Sequence, residues 1–161
     1  MFVNACMGGF PVQVDEATDE KIKKGLGPLA FWIGGAKALA DLTPSTVTIN
    51  GRELEGCVAA GVGNGRTCGG GMKVWPSARP DDRELDACGL AVRNPAQGAL
   101  LATRVKAGKH EDLDGVLTAR AAAIDIACDP AFEFNVDGEL VGLTSPARFE
   151  LVGRVRVLVP G

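Results

Sequence analysis

Gly61-Val62-Gly63-Asn64-Gly65-Arg66-Thr67-Cys68-Gly69-Gly70-Gly71 stands between one strand-like run and another, Met72–Trp75, which Pro76 closes. A dinucleotide fingerprint or a P-loop needs its glycines to open a helix, whose first N–H groups then face the phosphate. Here the glycines open a strand, and no Gly-Lys-Ser/Thr follows. Nucleotide binding of either kind is therefore not expected. Two readings of the loop stay open: a bulged connection between strands, or a bare backbone that lets a ligand or a second domain approach closely.

Upstream of the loop, Val47 and Ile49 alternate with Thr46, Thr48 and Asn50, the period of a half-buried strand. Asn50-Gly51 supplies the positive φ angles of a tight hairpin turn. The returning strand, about 53–62, is dense in small residues. Further back, Leu29, Trp32, Ile33, Ala36 and Ala40 recur at helical spacing behind Pro28, which predicts a helix over 28–42. Short strands are expected at 2–6 and 10–14. Downstream, 72–75 and 85–93 read as strands and 95–107 as a helix. The remainder reads as strands at 120–127, 131–136, 139–143, 147–152 and 154–159, with Asp137-Gly138 as a hairpin turn. Many short strands with few helices predict a mainly β (α+β) fold: a two-sheet antiparallel β-sandwich with one or two helices.

Composition agrees. Glycine, at 22 of 161 residues, is about twice its average usage, which suits a turn-rich chain of one domain. The net charge of -3 offers no basic surface for nucleic acid and little for anionic lipid. No run approaches the roughly 18–20 apolar residues that span a bilayer, so membrane contact is expected to be peripheral at most. Met1-Phe-Val-Asn-Ala-Cys has no basic n-region, so no signal peptide is expected. Cys6, Cys57, Cys68, Cys88 and Cys128 are scattered without a Cys-x-x-Cys pair and read as small hydrophobes in a reducing cytosol. The spacing and the single histidine argue against a structural zinc site. His110 itself, in the polar stretch Gly108–Asp112, is expected at the surface.

Three further features could carry chemistry. Pro76–Asp86 packs four acids into six residues (Asp81, Asp82, Glu84, Asp86), a set able to hold a hard cation or to be simply solvated among Arg79 and Arg83. Asn135-Val136-Asp137-Gly138-Glu139 is sufficient as a turn, yet a carboxylate there can project into a cleft as a proton acceptor. Lys21, Lys23 and Lys24 read as a solvated helix face or, for one of them, a phosphate-facing group.

In order, Asn64-Gly-Arg-Thr-Cys-Gly-Gly-Gly-Met-Lys-Val-Trp-Pro76-Ser-Ala78, Asp81-Asp82 and Leu85-Asp86 closely resemble the signature of the C-terminal domain of the diacylglycerol, sphingosine and ceramide lipid kinases and their bacterial relatives. Lys24-Gly-Leu-Gly-Pro-Leu-Ala-Phe31, Val136-Asp-Gly-Glu139, and Ala147-Arg-Phe through Leu158-Val-Pro160 are similar to further motifs of that family, so the resemblance runs from about Asn4 to Pro160. It implies a β-sandwich like that of lipid kinases and NAD kinases, packed in complete enzymes against an α/β domain, with ATP between them. The α/β domain carries Gly-Gly-Asp-Gly-Thr, which this chain lacks. Residues 1–161 are thus expected to be the C-terminal domain alone, without the nucleotide-binding half.

Residue roles follow from the same resemblance. Glu139 matches the proton acceptor for the lipid hydroxyl, with Asp137 beside it. Asp82, with the backbone oxygens of Arg79 and Glu84, matches a magnesium site of bacterial members. The family usually has glycine where Arg83 stands, and a cation there would compete with the metal. Asn64, Gly65 and Lys24 are the positions expected toward the cofactor. Magnesium and ATP belong to the complete enzyme, and this chain alone is expected to bind neither. The expected partners are a lipid substrate, an α/β domain and, on the surface that domain would cover, a second copy in a homodimer. A cytoplasmic lipid kinase is the first expectation. A non-catalytic lipid- or partner-binding sandwich is the second.

Overall fold

The structure, a computed structural model, describes residues 1–9, 43–69 and 71–153. The helix expected over 28–42, the strands expected at 10–14 and 154–159, and Lys24 lie outside the described residues. Nine strands and one helix are described: β1 Ala5–Gly9, β2 Ser45–Ile49, β3 Arg52–Gly63, β4 Leu85–Ala91, α1 Pro95–Ala107, β5 Val116–Ala121, β6 Ala123–Asp129, β7 Glu133–Val136, β8 Glu139–Thr144 and β9 Ala147–Glu150.

The local signals act as their chemistry dictates. Asn50 and Gly51 take φ angles of 47° and 80°, and Ile49 pairs Arg52 across them. Asp137 and Gly138, at 50° and 104°, turn β7 into β8. Helix α1 starts where the Asn94 side chain accepts the Gln97 N–H at 2.9 Å, with proline in its first turn. It stops at Gly108, whose left-handed φ of 70° lets its N–H return to the last turn.

Long β3 organises the sheet. Its first half pairs with β2 and its second half with β1, while β4 runs along its other edge and carries β5. β2 carries β6 and then β9; β1 carries β7 and then β8. The two layers of the sandwich are therefore wings of one continuous antiparallel sheet that curls until they face each other. Phe134 on β7 meets Phe149 on β9 edge-to-face across the gap, centroids 5.6 Å apart. Around them Cys6, Val47, Ile49, Val62 and Ile126 are buried, and a fully buried Phe134 contributes about 1.5–3 kcal/mol. A second core lies on the outer face, where Leu101 and Val105 of α1 pack with Trp75, Met7 and Leu90.

Three expectations are corrected. The single strand expected at 120–127 is two, β5 and β6, divided at Ala122, because the chain there leaves β4 and crosses to β2. Residues 72–75 form no strand: one bridge joins Cys68 to Met72, and the Val74 and Trp75 side chains turn into the outer core. His110 is fully buried rather than at the surface, with its ring against the Val74 carbonyl and the Cys88 thiol. Its Nε2 lies 3.1 Å from the Val74 carbonyl, which can only accept, so Nε2 carries the proton, and buried Nδ1 has no partner among the described residues. Neighbouring polar letters at 108–112 gave no hint of that contact.

Candidate functional site

Three glycines of the loop are bare because the chain itself fills the space a side chain would take. A Cβ on Gly63 would enter the Trp75 indole, one on Gly61 would strike the Cys6 carbonyl, and one on Gly65 would strike the Asn4 side chain. The groups that approach these three glycines closely are the chain's own Trp75, Cys6 and Asn4, rather than a ligand or a second domain. Asn64 and Gly65 donate their backbone N–H groups to the Asn4 carbonyl at 2.8 and 2.9 Å, and Asn64 Nδ2 donates to the Val3 carbonyl at 2.9 Å.

The same N-terminal residues are held from the other side by Asp137. Its carboxylate accepts the N–H groups of Val3 at 2.6 Å, Ala5 at 2.8 Å and Asn4 at 3.0 Å. Desolvation works to raise its pKa, but these three donors and the N-terminal amine prevail and hold it below the ordinary carboxylate value. With three N–H groups on it, Asp137 acts as a clamp. Ala5, the first residue of β1, completes the clamp, since its carbonyl in turn accepts the Asp137 N–H at 2.9 Å. Glu139, the first residue of β8, is exposed just beyond the clamped turn.

The acidic loop forms a second centre. Arg83 adopts φ 68°, in the left-handed region that favours glycine, and the Glu84 N–H lies 3.0 Å from Asp82 Oδ1. Asp82 Oδ2 is paired with Arg120 Nη2. Arg120 Nε lies 2.8 Å from Glu84 and 4.0 Å from Asp86 Oδ1. The Glu84 N–H, opposed by partial desolvation and helped by Arg120 and then Arg79, holds the Asp82 carboxyl below its ordinary value. Burial pushes the Asp86 carboxyl up, and its Oδ2 has no partner among the described residues. Beside Arg120 opens a cleft of about 370 Å³ walled by Arg52, Trp75, Asp86, Glu111 and Thr118.

The residues expected to hold magnesium do not fit it as arranged. The carboxylate meant for the metal has one oxygen on a backbone N–H and the other on a guanidinium, and the Arg79 carbonyl receives the Asp82 N–H at 3.3 Å. The competing cation is Arg120 rather than Arg83, which makes no ion pair with another described residue. Arg120 carries no local signal in the sequence; only the pairing of β5 with β4 reveals it.

Strand register relates the two centres. Across hydrogen-bonded neighbours, Glu139 pairs Val136, then come Cys6, Val62, Ala87 and Ala119, which precedes Arg120. Five strand spacings of about 4.8 Å give roughly 24 Å along an uncurled sheet. Both centres sit at one end of the sheet, yet they are separate. Asn64, Gly65, Asp137 and Glu139 gather in one; Asp82, Glu84 and Arg79 belong to the other.

The model of the YegS C-terminal NAD kinase beta sandwich-like domain matches residues 4–159. The chain belongs to this family. Among curated relatives, the probable lipid kinase YegS-like of Stenotrophomonas maltophilia (strain K279a) is 38% identical over 162 residues, covering 98% of this chain and 52% of the relative. The counterpart in Xanthomonas axonopodis pv. citri (strain 306) is 37% identical over 163 residues, with the same coverage of each. Among solved structures, one described as a "putative diacylglycerol kinase" from Bacillus anthracis str. Sterne superposes with a TM-score of 0.65 at 23% identity, over 92% of this chain and 50% of that one. That likeness supports the fold. This YegS-type chain spans about half the length of the curated relatives it matches.

Proposed function

We propose that this YegS-type domain is the acceptor-side half of an ATP-dependent lipid kinase and works with a nucleotide-binding α/β domain, on the same chain or another. The observation that carries the reading is the family match over nearly the whole chain, in relatives named lipid kinases and about twice as long. Within this reading Glu139 is the proton acceptor. Its carboxylate is exposed at the start of β8, on a turn that Asp137 holds rigid against β1.

In the proposed reaction the lipid hydroxyl oxygen forms a bond to the γ-phosphorus as the bond to the departing diphosphate breaks. A lipid alcohol is not ionised beforehand, so Glu139 acts by orienting the hydroxyl and taking up its proton late. ATP with its magnesium would supply the phosphoryl group from the α/β side. Asn64 and Gly65 contribute by fixing the N-terminal segment beside that turn. Diacylglycerol is the acceptor this reading puts first, with peripheral membrane contact. No described helix is long and apolar enough to cross a membrane. A cytoplasmic setting belongs to the same reading, which the five free cysteines suit.

The test is to fuse the N-terminal half of the Stenotrophomonas relative to this chain and supply labelled ATP, magnesium and a panel of dispersed lipids. Phosphorylated lipid is expected from the fusion and none from the isolated chain. A folded fusion that binds ATP and labels no lipid would leave the non-catalytic binding module as the better account.

A further inference from the structure

Arg120 lies directly opposite Asp86 in the β4–β5 ladder, so strand register carries its guanidinium to the mouth of the acidic loop. There it is within 4.0 Å of carboxylate oxygens of Asp82, Glu84 and Asp86. We propose that Arg120 is a built-in replacement for a divalent cation at this loop, so that the loop of this chain holds its shape without a metal.

Three observations support it. A planar guanidinium offers directed N–H donors on two edges, and here Nη2 serves Asp82 while Nε serves Glu84. Magnesium, by contrast, needs near-octahedral oxygen ligands at about 2.0–2.1 Å, and an ion that close to Asp82 would press against the guanidinium. Among the described residues, no group of three or more His, Cys, Asp or Glu side chains is arranged to hold a metal. The charge balance is local as well: among the described residues Arg120 is the one basic group that reaches three acids of the loop, whereas Arg79 pairs with exposed Asp81, at 3.5 Å. The inference concerns the loop and stands or falls independently of the kinase reading.

Thermal melts of the full chain in EDTA and in millimolar MgCl2 or MnCl2 test it, together with Mn²⁺ broadening of the Asp82 and Glu84 amide signals. The wild type is expected to melt at the same temperature with and without metal, and to show no broadening at these amides. Arg120→Gln should melt lower in EDTA and recover by about 3 °C at metal concentrations near ten times Kd, with broadening at the same amides. Metal-dependent stabilisation or local broadening in the wild type would overturn the proposal. So would an Arg120→Gln variant as stable as the wild type, or one destabilised yet blind to both metals. Should that variant fail to fold, the wild-type measurements decide alone.

Discussion

The carboxylate of Asp137 receives the backbone N–H of Ala5 at 2.8 Å, tying a hairpin near the end of the described chain to its first strand. With Val3 and Asn4 bound as well, one side chain orders the chain entry, the β7–β8 turn and, through Asn4, the glycine loop.

Asp137→Ala is therefore expected to cost about 1.5–3 kcal/mol, the range for hydrogen bonds to charged groups. Because the folded pKa of Asp137 lies below its ordinary 3.8, its contribution is present above that pH and is lost as pH falls through the folded value. Urea melts of wild type and variant should differ at pH 7 and converge in strong acid. A constant difference at all pH values would show that the clamp is not ionic.

Glu139→Gln should separate activity from stability. The side chain is exposed, so melting is expected to change by less than about 0.5 kcal/mol. Turnover of the fused enzyme should fall about 10²–10⁴-fold, the usual contribution of a positioned acid–base group. Unchanged turnover would remove Glu139 as the proton acceptor.

Two glycines on neighbouring strands should respond unequally to alanine. Gly63 faces the rigid indole of Trp75, buried in the outer core, so Gly63→Ala is expected to cost about 1–3 kcal/mol or more. At Gly89 the new methyl would meet the movable tip of Leu54, 3.2 Å away, and the cost should be clearly smaller. Denaturant midpoints compare them directly, and equal losses would mean that Trp75 yields.

His110 makes stability depend on pH near neutrality. Burial lowers its folded pKa below the ordinary 6.5, against smaller opposing effects of the Val74 carbonyl, Glu111 and Asp112. The unfolded chain then binds a proton that the folded chain refuses, so stability should decline as pH drops below 6.5 toward the folded value. Urea melts between pH 8 and pH 5 should show this slope, and His110→Gln should flatten it. An identical slope in the variant would place the titrating group elsewhere.

How much was legible in the sequence depends on how far apart the interacting groups lie along the chain. Asn50-Gly51, Asp137-Gly138, Asn94-Pro95 and Gly108 act through φ preferences and hydrogen bonds spanning a few residues, so the hairpins and the bounds of α1 could be read directly. The alternation around Val47 and Ile49 gave β2 its buried face for the same reason. The resemblance marked the family and singled out Glu139 and Asp82.

What these signals could not convey were contacts made by bringing distant segments together. Arg120 reaches Asp82 across 38 residues, His110 reaches Val74 across 36, and Asp137 reaches Val3 across 134. Each depends on strand register or on a loop closing over a core, and no single window contains both partners. Local backbone preferences and side-chain periodicity set β2, the two hairpin turns and the bounds of α1, and the resemblance of the motifs marked the family, but neither signalled the break at Ala122 or the loop at 72–75. It took the folded chain to bring Asn4 and Trp75 onto the glycine loop, to clamp Val3, Asn4 and Ala5 on the turn aspartate, and to seat an arginine among the acids expected to hold a metal. Packing and charge pairing are properties of surfaces, and those surfaces exist only once the sheet has curled.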